Sequence, residues 1–113
     1  MSEGAAKLRA AVEAFAAKLE EPEFRGCPLL LAQAEFPDPE HPTHRLVAMH
    51  KRRMREALTA LAEEAGAERP TLLGDTLAVL IDGAWSTLPY MGAARAAEVL
   101  RHAAKAVLRD ALR

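Results

Sequence analysis

A single cysteine, Cys27, excludes any internal disulfide; this fits a reducing compartment, and a cytoplasmic location is expected. The only serines are Ser2 and Ser86, and neither has a base near it in sequence. No nucleophile elbow, glycine-rich phosphate loop, HExxH or CxxC arrangement occurs, so neither catalysis nor a cofactor is expected. An excess of positive charge is also lacking: 15 Lys and Arg face 16 Asp and Glu, a formal net charge of −1. Affinity for a phosphate backbone is built from such an excess, so direct DNA binding by this chain is not expected. The absence of a signal peptide and of any run of about 18 apolar residues argues against a membrane segment. Aromatic residues are scarce, with Phe15, Phe24, Phe36, Trp85 and Tyr90 the full set.

Alanine is what the chain has in abundance: 25 of its 113 residues, within a composition that is 50% hydrophobic. Small side chains give little apolar area each, so close helix-helix approach must supply the packing, and a partner surface would help. At this length residues 1–113 are expected to form one domain that buries roughly two thirds of the surface of the unfolded chain.

The hydrophobic spacing predicts an all-α domain of five helices, without β-alternation or internal repeats. Leu8, Val12, Phe15 and Leu19 mark one face of a helix from about Glu3 to Glu20, stopped by Pro22. Pro28 suits the first turn of a short second helix that ends near Phe36, and Pro37, Pro39 and Pro42 make a stiff connector after it. The third and longest helix starts at Pro42, buries Val47, His50, Met54, Leu58, Leu61 and Ala65, and is capped by Gly66. The fourth runs from about Pro70 to Leu88 with Leu73, Leu77, Leu80, Ile81, Ala84 and Leu88 on one arc, and Pro89 and Gly92 break the chain beyond. The fifth spans roughly Ala93 to Leu112. Its apolar arc of Ala96, Ala97, Leu100, Ala103, Ala104, Val107, Leu108 and Ala111 is wider than one neighbour needs.

A pocket is the first candidate site. Phe15, Phe24, Leu30, Phe36, His50, Met54, Asp82 and Trp85 are the groups that converge if the first, third and fourth helices pack around the proline elbow, and ligand pockets are mostly apolar with few oriented polar groups. Aromatics and methionine at helical spacing also read simply as core. His50 fits a core histidine bonded to a neighbour better than a ligand contact, since no catalytic partner is in evidence. Asp82, if buried, needs a partner, and the Trp85 indole one turn along can donate to it. Gly83 in mid-helix is explained if another helix crosses closely there, with Thr76 and Thr87 completing a small-residue strip.

Other constellations are weaker. His41 and His44 beside Asp38 and Glu40 lie across a proline-rich helix start without the four-ligand spacing of a zinc site, so no metal is expected. Lys51, Arg52, Arg53 and Arg55 spread around the helix axis and are diluted by Glu56, Glu63 and Glu64, giving a solvated face rather than a nucleic-acid patch. Cys27 near a helix start reads as a buried thiol before it reads as a redox sensor.

Two runs carry a family resemblance: Phe24-Arg25-Gly26-Cys27-Pro28-Leu29-Leu30 followed by Ala34-Glu35-Phe36-Pro37-Asp38-Pro39-Glu40-His41-Pro42, and Asp82-Gly83-Ala84 in the penultimate helix. Together with the long helix between them, they resemble the C-terminal ligand-binding and dimerisation half of TetR-type transcriptional regulators, in the branch of the LmrA- and YxaF-like repressors. The resemblance covers nearly the whole chain. It implies an effector-binding module for a small hydrophobic or aromatic ligand, and a homodimer whose four-helix interface is made by the last two helices. Thr76, Leu80, Gly83, Thr87, Leu100, Ala104, Val107 and Leu108 are its expected contacts. Members of the family open with a helix-turn-helix DNA-binding domain, whereas here Met1 leads at once into the first helix of the second domain. The alternative is a stand-alone helical interaction protein that pairs with full-length relatives and has no ligand; a small-molecule carrier or cryptic enzyme is a third, weaker reading.

Overall fold

A computed structural model describes residues 2–112, the side chains of Leu29 and Leu30 excepted. These residues form five α-helices and no strand: α1 Glu3–Leu19, α2 Pro28–Glu35, α3 Pro42–Glu64, α4 Pro70–Met91 and α5 Ala93–Ala111. Each start and stop has a local cause. The Ser2 hydroxyl accepts from the Ala5 N–H at 3.1 Å and caps α1. Proline opens α2, α3 and α4, where its missing N–H is no loss. After α3 the chain turns through Gly66 at φ +81°, with Ala67 N–H bonded to the Ala62 carbonyl and Gly66 N–H to that of Glu63, a Schellman closure.

The expected end of α4 at Leu88 is corrected: the helix runs through Pro89 to Met91 and stops at Gly92, whose φ is +86°. A proline at position 89 removes the N–H that would bond the Trp85 carbonyl. That is one lost bond, and the turn beyond it closes again with Gly92 N–H on the Leu88 carbonyl at 3.0 Å.

The helices pack as a slab of about 44 × 30 × 17 Å. α4 lies between α3 and α5, α1 lies across α3, α4 and α5, and α2 touches α3 alone among the helices. Leu8, Leu19, Leu77, Ile81 and Leu100 are the largest fully buried side chains, each contributing about 1.5–3 kcal/mol by leaving water. Ala16, Ala62, Ala78, Ala97 and Ala104 fill the gaps between them, the close approach that an alanine-rich chain requires. Phe15 departs from its expected place on the α1 stripe: it is only half-buried, at the edge of the core, and Ala16 is the buried residue.

Glycine marks the tightest helix contacts, though not where expected. A Cβ on Gly4 would collide with the Glu64 carbonyl, and one on Gly74 would lie 2.5 Å from Thr59 Oγ1, whereas one on Gly83 would meet nothing within 4 Å. Within the protomer the close crossings are therefore those of α1 with the end of α3 at Gly4 and of α3 with α4 at Gly74. At the rims, Arg55 forks onto Asp75 at 2.8 and 2.9 Å, and Arg101 reaches Glu13 at 2.7 Å and Glu20 at 2.6 Å. These exposed pairs add little energy but hold α3 to α4 and α5 to α1.

Candidate functional site

Trp85 of α4 organises the site. Its indole N–H donates to the Phe15 carbonyl at 3.3 Å, which corrects the expected bond to Asp82. The Phe15 ring stands 5.7 Å from it, tilted by 57°, and the Phe24 ring 5.0 Å from it, edge-on at 73°. Such edge and tilted contacts suit the ring quadrupoles. Gly26, at φ +103°, brings the elbow under α4, where a Cβ would lie 3.3 Å from the Trp85 carbonyl, the same oxygen that Pro89 deprives of a helical donor.

Beside this cluster α1, α3, α4 and the start of α2 border an open apolar cleft of about 450 Å³. Ala11 and Phe15 line it from α1, Cys27 and Pro28 from the elbow, Trp85 from α4, and His50, Lys51, Met54, Ala57, Leu58 and Leu61 from α3. A larger depression of about 500 Å³ lies along Pro39–Met49 at the start of α3, but none of its lining residues is buried and a single segment forms it. The cleft at Trp85, where separate helices converge, is the better candidate.

One cation lines the cleft at its border with a second depression between α3 and α4, which Lys51 shares with Arg55, Asp75 and Asp82. Lys51 Nζ donates to Asp82 Oδ1 at 2.8 Å and to Cys27 Sγ at 3.3 Å, with 19% of its side chain exposed. Burial pushes the Lys51 ammonium down, but its hydrogen bonds to Asp82 and Cys27 outweigh this and hold its pKa above the usual lysine value. Asp82 is thus paired by Lys51, and Cys27 is a buried thiol facing an ammonium.

The expected pocket residues divide. Phe15, His50, Met54 and Trp85 line the cleft, and Phe24 supports it from behind Trp85. Asp82 lies outside the lining and acts through Lys51. Phe36 is elsewhere: it is 38% exposed and stacks on His41 with centroids 4.1 Å apart. The Leu30 side chain lies outside the described residues. His50 lines the rim but is exposed, correcting its expected burial, while Lys51, expected on the solvated face, turns inward. The missed signal was the register. Leu58 and Ala62 lie two and three turns from Lys51, which puts Lys51 rather than His50 in their row.

His41 and His44 are explained by the connector. His41 Nδ1 accepts from the Thr43 N–H at 3.1 Å and caps α3. His44 Nε2–H donates to the Phe36 carbonyl, while its Nδ1 accepts from Gln33 Nε2 at 2.9 Å, tying the end of α2 to the start of α3. Among the described residues no three His, Cys, Asp or Glu side chains converge as metal ligands.

Residues 4–107 match the family of tetracyclin repressor-like C-terminal domains. The chain belongs to that family. A solved TetR-family transcriptional regulator from Streptomyces coelicolor superposes with a TM-score of 0.90 at 31% identity, covering 100% of this chain and 56% of that one. This chain therefore spans little more than half of that regulator's length. No curated protein matched significantly. The five-helix, all-α TetR C-terminal fold is thus the one that the sequence predicts.

On this TetR-type domain the outer face of α4 and α5 carries a second apolar feature. A groove of about 330 Å³ runs between the helices past Leu80, Gly83, Thr87 and Ala103, flanked by Val79 at 71%, Val99 at 41% and Met91 at 36% exposure. Thr76 and Val107 continue it beside Leu72. The Thr76 and Thr87 hydroxyls bond back to the Leu72 and Ala84 carbonyls, so neither leaves an unsatisfied donor on this face. Of the expected interface residues, Thr76, Leu80, Gly83, Thr87 and Val107 reach this face. Leu100 lies at the floor of the groove but, like Ala104 and Leu108, is only 2% exposed, buried in the chain's own core, because the wide α5 arc serves α1 and α4. No helix among the described residues is long and apolar enough to cross a membrane.

Proposed function

We propose that this chain is the effector-binding and dimerisation module of a TetR-type transcriptional regulator, taking a small hydrophobic or aromatic ligand in the cleft at Trp85. The observation that carries this reading is the cleft itself, apolar and placed where α1, α3 and α4 meet at the only tryptophan. Its presence counts against a purely structural interaction protein, whose interior would be filled. The apolar α4/α5 face supports a homodimer, since exposed side chains such as Val79, Val99 and Leu72 gain by burial against a second copy. The elbow from Phe24 to Pro42 supports placement near the LmrA- and YxaF-like regulators. In such a regulator the module acts on a DNA-reading head rather than touching DNA itself.

The test combines sedimentation equilibrium with titration of Trp85 emission by flat aromatic compounds. A dimer whose tryptophan emission saturates with ligand agrees with the proposal. A monomer at all concentrations, or emission indifferent to compounds that bind by dialysis, contradicts the dimer or the site respectively.

A further inference from the structure

The effector-binding reading leaves the chemistry of the ligand open, and Lys51 narrows it. The lining of the cleft is apolar except for His50 at its exposed rim, the Cys27 thiol and Lys51. An ammonium has three donors. Asp82 Oδ1 takes one at 2.8 Å and Cys27 Sγ another at 3.3 Å, and no other described residue takes the third. The charge of Lys51 is already matched. Asp82 sits against it in a pair that is mostly withdrawn from solvent on the lysine side, and no second cation lines the cleft. An ionised ligand would bring an unmatched negative charge into an apolar site beside the Asp82 carboxylate, with a desolvation cost and a repulsion to overcome. A neutral oxygen acceptor escapes both penalties and still meets a charge-assisted donor.

We infer that the cleft selects an uncharged aromatic ligand bearing a hydrogen-bond acceptor of the aryl-ketone type, whose ring packs among Phe15, Met54 and Trp85 while its oxygen accepts from Lys51 Nζ. This rests on the effector-binding reading, and the test separates the two. His50 at the rim is exposed and therefore hydrated, which makes it a poorer source of selectivity than the half-buried lysine.

The experiment measures, by equilibrium dialysis on the full 113-residue chain, three probes that share one ring system: 2-ethylnaphthalene, 2-acetylnaphthalene and 2-naphthoate, with Trp85 emission as the reporter of location. The ketone should bind about tenfold more tightly than the hydrocarbon, as expected for one hydrogen bond to a charged donor, and more tightly than the carboxylate. Lys51→Met should remove the ketone's advantage, so that ketone and hydrocarbon bind alike. Asp82→Asn leaves the ammonium unmatched and should shift preference toward 2-naphthoate. Equal binding of ketone and hydrocarbon, or a ketone advantage that survives Lys51→Met, overturns the role of Lys51 but leaves the cleft as a ligand site. A carboxylate that binds most tightly to the unaltered chain overturns the charge-matching argument. Failure of all three probes to bind overturns this inference, while the effector-binding reading stands or falls on the wider titration of Trp85 emission. The comparison of probes on the unaltered chain stands even if Lys51→Met fails to fold.

Discussion

Gly74 of α4 rests against Thr59 of α3 so closely that a Cβ at position 74 would lie 2.5 Å from Thr59 Oγ1 and 2.8 Å from its backbone nitrogen. The hydroxyl can rotate away but the backbone cannot. Gly74→Ala should therefore destabilise the domain by about 2 kcal/mol in urea unfolding, since overpacking outweighs the gain of about 1 kcal/mol in helix propensity. An unchanged midpoint would mean that α3 and α4 slide apart freely.

Gly83→Ala should do the reverse. With nothing within 4 Å of the added Cβ, it should stabilise the isolated protomer by about 0.5–1 kcal/mol. If α4 packs on a second copy at this point, the bulkier Gly83→Leu should weaken self-association in sedimentation without lowering the protomer's helicity.

Two substitutions to glutamate should separate the core from the outer face. Val79→Glu, at a position 71% exposed, should leave the melting of a protomer nearly unchanged while abolishing any dimer. Leu100→Glu, at a position 2% exposed, should cost several kcal/mol and unfold much of the domain, because it places an unpaired carboxylate in the core. Circular dichroism and sedimentation on the same samples distinguish these outcomes.

Phe24→Ala removes the edge-on ring 5.0 Å from Trp85. A loss of about 1–2 kcal/mol is expected from the ring's half-burial and the aromatic contact, together with a red shift of tryptophan emission as water reaches the indole. No shift would place the Phe24 ring elsewhere in solution.

Arg101 gives a prediction in acid. Its hydrogen bond to Glu13 holds that carboxyl below its ordinary 4.5. A depressed folded pKa contributes stability that is present above pH 4.5 and is lost as pH falls through the folded value. Arg101→Met should thus be less stable than the unaltered chain at neutral pH, with the difference shrinking as acid protonates Glu13 in both. The effect is small because the pair is solvent-exposed, and a difference constant from pH 7 to pH 2 would contradict it.

The helices were legible because their signals are local: proline at three starts, Gly66 after α3, and leucine spacing through α1 and α4. The end of α4 was misread because a proline late in a helix removes its own N–H bond without stopping the turn that follows, which closes with Gly92 N–H on the Leu88 carbonyl. The site was half legible. Phe15, Met54 and Trp85, chosen by size and spacing, do line the cleft, but His50 and Lys51 are adjacent, and the register with Leu58 and Ala62 that turns Lys51 inward was passed over. Phe36 was misplaced because its stacking on His41 depends on how the connector folds back. On α5 the breadth of the apolar arc was read as spare surface, yet α1 and α4 together cover Leu100, Ala104 and Leu108.

The attachment of α2 to α3 alone gives the cleft a hinged wall. Cys27 and Pro28 stand on that wall, while the remaining lining belongs to helices that share the main core. Lifting α2 breaks its contacts with α3 and the His44 tie to Gln33 and Phe36, and leaves Leu8, Leu77 and Leu100 packed. Widening the cleft on this side is therefore a sub-global opening, with a free energy set by eight residues and their elbow rather than by the whole domain. Amide protons of α2 should exchange with solvent well before those of α4, and a ligand seated against Pro28 should slow them selectively.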